Sequence, residues 1–128
     1  MRKKQWKHGV ASQWGLFIPP ARPSLSELAV IEKELLNIKS KNKKCRVAIL
    51  GSTPEYRDLC QTHNIDYRCI EYVKQNFIAL RDFMLHKDTN DRVLESDWRT
   101  MNFRERFDCF LGDDATTVIP VDDHEIIF

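Results

Sequence analysis

Glycine is scarce in this chain, and the scarcity narrows its function early. Four glycines are spread over 128 residues. One of them, Gly51, sits where an apolar run hands over to a helix start. A loop that cradles a pyrophosphate needs three glycines in Gly-x-Gly-x-x-Gly spacing, and the second and third are missing. The cysteines Cys45, Cys60, Cys69 and Cys109 show no CxxC or zinc-type spacing. Cys60 with His63 supplies only half of a metal site, and reduced, mostly buried thiols are the simpler reading. No apolar run is long enough to span a bilayer. The basic start Met1-Arg2-Lys3-Lys4 has no apolar signal core behind it and reads as cytoplasmic. Internal repeats and low-complexity segments are absent as well.

What remains is an ordinary globular composition, 42% hydrophobic and 30% charged. The length favours one domain, able to bury roughly two-thirds of its unfolded surface. The net charge of +1 hides a division. Residues 1–46 carry 11 Lys/Arg against 3 acids, and residues 47–128 carry 9 against 16. The basic segment either touches an anionic partner or solvates a helix end and complements the acidic half. Without aromatic interleaving or a long basic stripe, nucleic acid is not the expected partner.

Residues 1–45 divide into an arm and a helix. Trp6, Trp14, Leu16, Phe17 and Ile18 make the arm too apolar for a free tail, and Pro19, Pro20 and Pro23 exclude a helix there. Ser24-Leu25-Ser26-Glu27 is a capping box, after which Leu28, Ile31, Leu35 and Ile38 keep helical spacing. Lys39 to Lys44 reads as a polar connector. From residue 46 onward the pattern is α/β: strands over 46–50, 67–70, 92–95 and 107–111, with helices from Pro54 to His63 and through Val73, Phe77, Leu80 and Met84. Asn64 can close the first of these helices in a left-handed cap. The expected architecture is a Rossmann-like parallel sheet of four strands in order 3-2-1-4, with helices on both faces.

Chemistry gathers at the carboxyl ends of these strands, where ligands bind in open α/β sheets. Gly51 lets a ligand approach the backbone. Thr53 is one candidate cap for the helix that Pro54 opens, and Ser52 with Glu55 is the other. Glu55 just past the turn turns the site away from polyphosphates and toward a cation or a nucleoside. Glu71 ends the second strand, where a carboxylate can accept from both hydroxyls of a ribose; it also fits as a helix-start acid. Asp97 can accept from the exocyclic amine of adenine, with Trp98 as an apolar wall, or the two can be a loop acid and core. Asp113 and Asp114 end the fourth strand as site acids or as turn formers.

The run Leu50-Gly51-Ser52-Thr53-Pro54-Glu55 is similar to a Gly-x-Thr-Pro-Glu turn found in one branch of the class I S-adenosylmethionine-dependent methyltransferases. Pro19-Pro20-Ala21-Arg22-Pro23-Ser24 resembles that branch's segment ahead of its first helix. Ser96-Asp97-Trp98 resembles the family's Gly-Asp-Trp, and Phe107 to Asp113 its fourth strand. The resemblance runs from about Trp14 to Pro120 and corresponds to the amino-terminal half of the family domain.

It implies S-adenosylmethionine as cofactor. Gly51, Ser52, Thr53 and Glu55 would lie against its methionine part, Glu71 with Tyr72 at the ribose, Asp97 and Trp98 at the adenine. Asp113 would face the cofactor or the acceptor and is the one candidate catalytic group. Two departures stand against the family pattern: Asp-Asp-Ala follows Gly112, and the strands are fewer than in the full family fold. The expectation is therefore a truncated domain, with 46–128 as its cofactor-binding half. The acceptor is unspecified, since the Asn/Asp-Pro-Pro-Tyr signature of nucleobase-amine methylation is absent. A non-catalytic module is the alternative. It would join a second copy or a complementary chain through an exposed edge at the fourth strand and the apolar end Glu125 to Phe128. A dehydrogenase on the same fold is disfavoured by the lone glycine.

Overall fold

In the computed structural model the described residues are 23–96, 107–112 and, for the backbone alone, 118–120. They form helix α1 (Leu25–Lys41), strand β1 (Arg46–Leu50), helix α2 (Pro54–Thr62), strand β2 (Asp66–Glu71) and helix α3 (Lys74–Leu80). Two single 3₁₀ turns follow, Arg81–Phe83 and Asn90–Arg92, and then the strands β3 (Val93–Glu95), β4 (Cys109–Gly112) and β5 (Val118–Pro120). The sheet order is β3-β2-β1-β4-β5. The first four strands are parallel, in the expected order 3-2-1-4. β5 pairs antiparallel with β4, Cys109 opposite Pro120 and Leu111 opposite Val118. This corrects the expectation of an exposed edge at the fourth strand, because β5 takes the hydrogen-bonding positions that a partner chain would need.

Alternation along the strands separates two apolar faces. Val47, Ile49, Tyr67, Cys69, Cys109 and Leu111 point one way and meet Ile31 and Leu35 of α1, Tyr56 and Cys60 of α2 and Phe77 of α3. Ala48, Leu50, Ile70 and Phe110 point the other way, with Phe107 and Leu94. The described helices thus lie on one face, as right-handed crossovers from β1 to β2 to β3 require. The β3–β4 connection, 97–106, lies outside the described residues, as does the arm before residue 23.

Local chemistry explains the element ends. The Ser24 hydroxyl accepts the Glu27 amide at 3.1 Å and donates to the Glu27 carboxylate at 3.1 Å, so Ser24 and Glu27 start α1 together. α1 runs through Lys39 and Lys41 rather than ending before a connector at Lys39. Both are basic residues in a last turn, where they complement the helix dipole. α2 closes through Asn64 at φ 52°, with the Ile65 amide reaching back to the Cys60 carbonyl at 2.8 Å. α3 tightens into a 3₁₀ turn instead of running on as α-helix to Met84, whose backbone is extended. β4 starts at Cys109 rather than Phe107, and Asp108 shows why. Its carboxylate accepts the Arg46 amide at 2.7 Å while its own amide donates to the Arg46 carbonyl at 2.7 Å.

All four cysteines are buried and unbridged. Burial pushes the Cys45 thiol up to about 11, with the Asp108 carboxylate adding to it. Burial likewise pushes Cys109 up to about 12 and raises Cys60 and Cys69. A thiol whose folded pKa exceeds its unfolded value favours the fold below the unfolded pKa and loses that contribution as pH rises. The native protein should therefore leave all four thiols unreactive toward a thiol reagent at pH 8 and expose four in denaturant. Its urea midpoint should fall as pH climbs from 9 toward 11.

Candidate functional site

The strand order reverses between β1 and β4, so the switch-point crevice lies beyond Leu50 and Gly112. Gly51 continues the ladder by donating its amide to the Ile70 carbonyl at 3.0 Å, then turns at φ 104°. A Cβ would be strained there, so the position calls for glycine. Ser52 and Thr53 follow, both buried. The Thr53 side chain makes no capping hydrogen bond, and Pro54 opens α2 in its place. Thr53 thus stands at the expected N-cap position but caps with no side-chain bond. The Ser52 hydroxyl donates to the Glu71 carboxylate at 2.6 Å. It directs its proton across the crevice to a charged acceptor on the neighbouring strand.

Glu71 is the hub of this edge. One carboxylate oxygen takes the Ser52 hydroxyl and the other the Val73 amide at 3.4 Å. Its carbonyl accepts the Ser96 amide at 2.9 Å, which ties in the end of β3. Burial pushes its carboxyl above the ordinary value. The Ser52 hydroxyl, the Val73 and Tyr72 amides and the Arg57 charge pull it partly back. An ionised carboxylate offers about four lone-pair sites, so acceptor capacity remains for a ligand. The Val73 bond is also what a helix-start acid would make, so the two readings of Glu71 coexist. Glu95, not singled out from the sequence, takes the Lys74 amide at 2.8 Å and serves that start directly.

The structure therefore brings Gly51, Ser52 and Glu71 together, with Tyr72 next to Glu71 and half-buried. Glu55 is half-buried on the first turn of α2. Asp97, Trp98, Asp113 and Asp114 lie outside the described residues. Among the described residues, no three His, Cys, Asp or Glu side chains converge as metal ligands.

The residue most needed behind this turn is Arg57, whose side chain is fully buried. Its guanidinium donates to the Ser52 carbonyl at 3.1 Å and to the Phe77 carbonyl at 3.1 Å. It also grips Asp88 through Nε at 2.8 Å and Nη2 at 2.5 Å, and lies 3.9 Å from the centre of the Phe77 ring. Asp88 further accepts the Tyr67 hydroxyl at 2.7 Å and Arg81 Nε at 3.2 Å. Burial works to raise the Asp88 carboxyl, but the bonds from Arg57, Tyr67 and Arg81 outweigh it and hold it below its ordinary value. The sequence held a signal for Arg57. It stands three residues from both Pro54 and Cys60, on the inward side of α2, where a charge requires a partner. Nothing local marks Asp88, 31 residues further on.

Comparison of the chain with protein-family models, with curated proteins and with solved structures finds no match.

Breaking one side of a buried ion pair strands the other charge. Asp88→Asn and Arg57→Met are each expected to lose about 3–5 kcal/mol in urea unfolding. The depressed Asp88 carboxyl contributes stability above the ordinary carboxylate pKa and loses it as pH falls through its lowered value. The wild type should therefore shed its advantage over Asp88→Asn on acidification below about pH 4, read by circular dichroism.

Proposed function

We propose that the chain binds S-adenosylmethionine at the carboxyl edge of β1 and β2, as a methyltransferase or its cofactor-binding half. The observation that carries the proposal is the Ser52–Glu71 hydrogen bond of 2.6 Å beside a glycine at φ 104°. It fixes a carboxylate next to a side-chain-free stretch of backbone. Such a pair suits a nucleoside whose ribose donates two hydroxyls and whose remainder passes close to the chain. The acids Glu55 and Glu71 favour a ligand group of positive charge and disfavour a pyrophosphate. The resemblance of Gly51 to Glu55 to the Gly-x-Thr-Pro-Glu turn supports the same ligand.

The cofactor, when bound, supplies an electrophilic methyl group on a sulfonium. The work of the chain is then to bind and align. Glu71 orients the ribose, Gly51 admits the methionine part, and Arg57 keeps the turn from shifting by holding the Ser52 carbonyl. Alignment alone can be worth on the order of 7–11 kcal/mol in a displacement of this kind. A base is required only for an acceptor that must lose a proton during attack. Asp113 is the proposed group for that role.

Isothermal titration with S-adenosylhomocysteine tests the proposal. Saturable one-to-one binding is expected, weakened roughly 10- to 100-fold in Glu71→Ala, the range of a lost hydrogen bond to a charged group. Gly51→Val should abolish it. The affinity should fall as pH drops toward the raised Glu71 pKa, since a protonated carboxyl loses acceptor capacity. No heat from the wild type, or equal affinity in Glu71→Ala, overturns the assignment. Tight binding of NAD instead would favour a dehydrogenase.

A further inference from the structure

Ser52 is held from both sides. Its carbonyl accepts Arg57 Nη1 at 3.1 Å, and its hydroxyl donates to Glu71 Oε1 at 2.6 Å. The residue is buried, and the arginine that holds it is itself clamped by Asp88 in the core. Parallel register makes this possible. Leu50 of β1 stands opposite Ile70 of β2, so the turn after β1 and the last residue of β2 emerge side by side.

A serine hydroxyl carries one proton, and here Glu71 receives it. That proton is not free for a ligand. The resemblance set Ser52 against the methionine part of a cofactor; the bond gives it a different task. A length of 2.6 Å falls in the range of charge-assisted O–H···O⁻ bonds, which are the strong ones. The Val73 amide reaches the second carboxylate oxygen only at 3.4 Å, a weaker contact. The serine is therefore the firmer of these two holds on the carboxylate.

Burial drives the Glu71 carboxyl toward its neutral form, and the Ser52 hydroxyl is the largest of the influences that oppose it. The charged groups on the elements packed around Glu71 are Arg57 and Glu55 of α2, Glu95 opposite it on β3 and Lys74 at the head of α3. The Cys69 thiol lies two residues back on its own strand. Arg57 also favours the ionised form, but less than the serine does. Glu95 is engaged by the Lys74 amide.

We propose that Ser52 is a positioning residue, which acts through Glu71 by fixing the carboxylate and keeping it a ready acceptor rather than by donating to the ligand. The inference rests on the reading of Glu71 as the acceptor for ribose hydroxyls. A ligand then meets a carboxylate already aimed, and less ordering is left for the binding step.

Two variants remove the donor. Ser52→Ala deletes it, and Ser52→Cys keeps nearly the same shape with a weak donor. The first readout needs no ligand: the Glu71 carboxyl is titrated in the full chain by NMR of its carboxyl carbon. Its midpoint should move up in both variants, because the bond that favours the ionised form is lost. Asp66, at the other end of β2, should titrate as in the wild type. The second readout is the affinity for S-adenosylhomocysteine across pH. Both variants should bind about tenfold more weakly at neutral pH, and their affinity should fall away at a higher pH than that of the wild type. A merely structural role would be restored by the cysteine and would leave the pH profile in place. A Glu71 midpoint unchanged in both variants overturns the proposal, with or without a ligand. So does a raised midpoint with wild-type affinity in both. Absence of binding by the wild type overturns the ribose reading instead, and the carboxyl titration then decides by itself whether Ser52 holds Glu71.

Discussion

The buried pairing of Arg57 with Asp88 is the constraint on which the rest of this sheet and its helices depend. Neither charge can be left alone in the apolar layer between α2, α3 and β2. Each partner therefore fixes the backbone that carries it. Through Arg57 the helix start and the Ser52 carbonyl are held in one place, and the Phe77 carbonyl at the core of α3 is drawn to the same centre. Through Asp88 the loop after α3 is pinned against Tyr67 of β2. A hydrophobic cluster in this position would hold the helices as firmly but would leave the turn after β1 with no directional bond. The ion pair thus links stability in the core to geometry at the carboxyl edge of the sheet.

The fold was largely legible because its signals are local. The apolar run of β1, the Ser24 cap, the Pro54 start and the Asn64 closure each act over a few residues. The strand order follows once helices are known to separate parallel strands. What could not be read was decided at long range. Asp108 delays β4 through Arg46, whose amide lies 62 residues earlier. β5 pairs by reversing direction after β4, and the three residues Val118–Pro120 carry too short a pattern to announce it. At the candidate site, the placement of Gly51 and Glu71 at strand ends was legible from the apolar runs before them. The bond from Ser52 to Glu71 was not, because a capping motif in sequence cannot reveal a carboxylate on the neighbouring strand. The signal for Arg57 lies at an inward position of α2, outside the motif of the turn itself.

The two ends of the sheet differ in sign. The carboxyl edge gathers Glu55, Glu71 and Glu95, and the amino edge gathers Arg46, Arg68 and Arg92 around Asp66. The same four parallel strands produce both, since each strand offers its first residues to one edge and its last to the other. This division across the molecule is separate from the one along the sequence, since Arg68 and Arg92 come from the acidic half of the chain.

The position of β1 at the centre of the sheet has a consequence for how the chain finds its structure. β1 meets β2 across a short interval, with Arg46 and Asp66 20 residues apart, but meets β4 only after 62. Closing the longer loop costs more chain entropy, and contacts of high sequence separation form slowly. The unit from β1 through Asp88 in the loop after α3 can therefore assemble with its ion pair before β4 docks. The glycine turn and its carboxylate would then exist in a nascent state, ahead of the strand that completes the crevice.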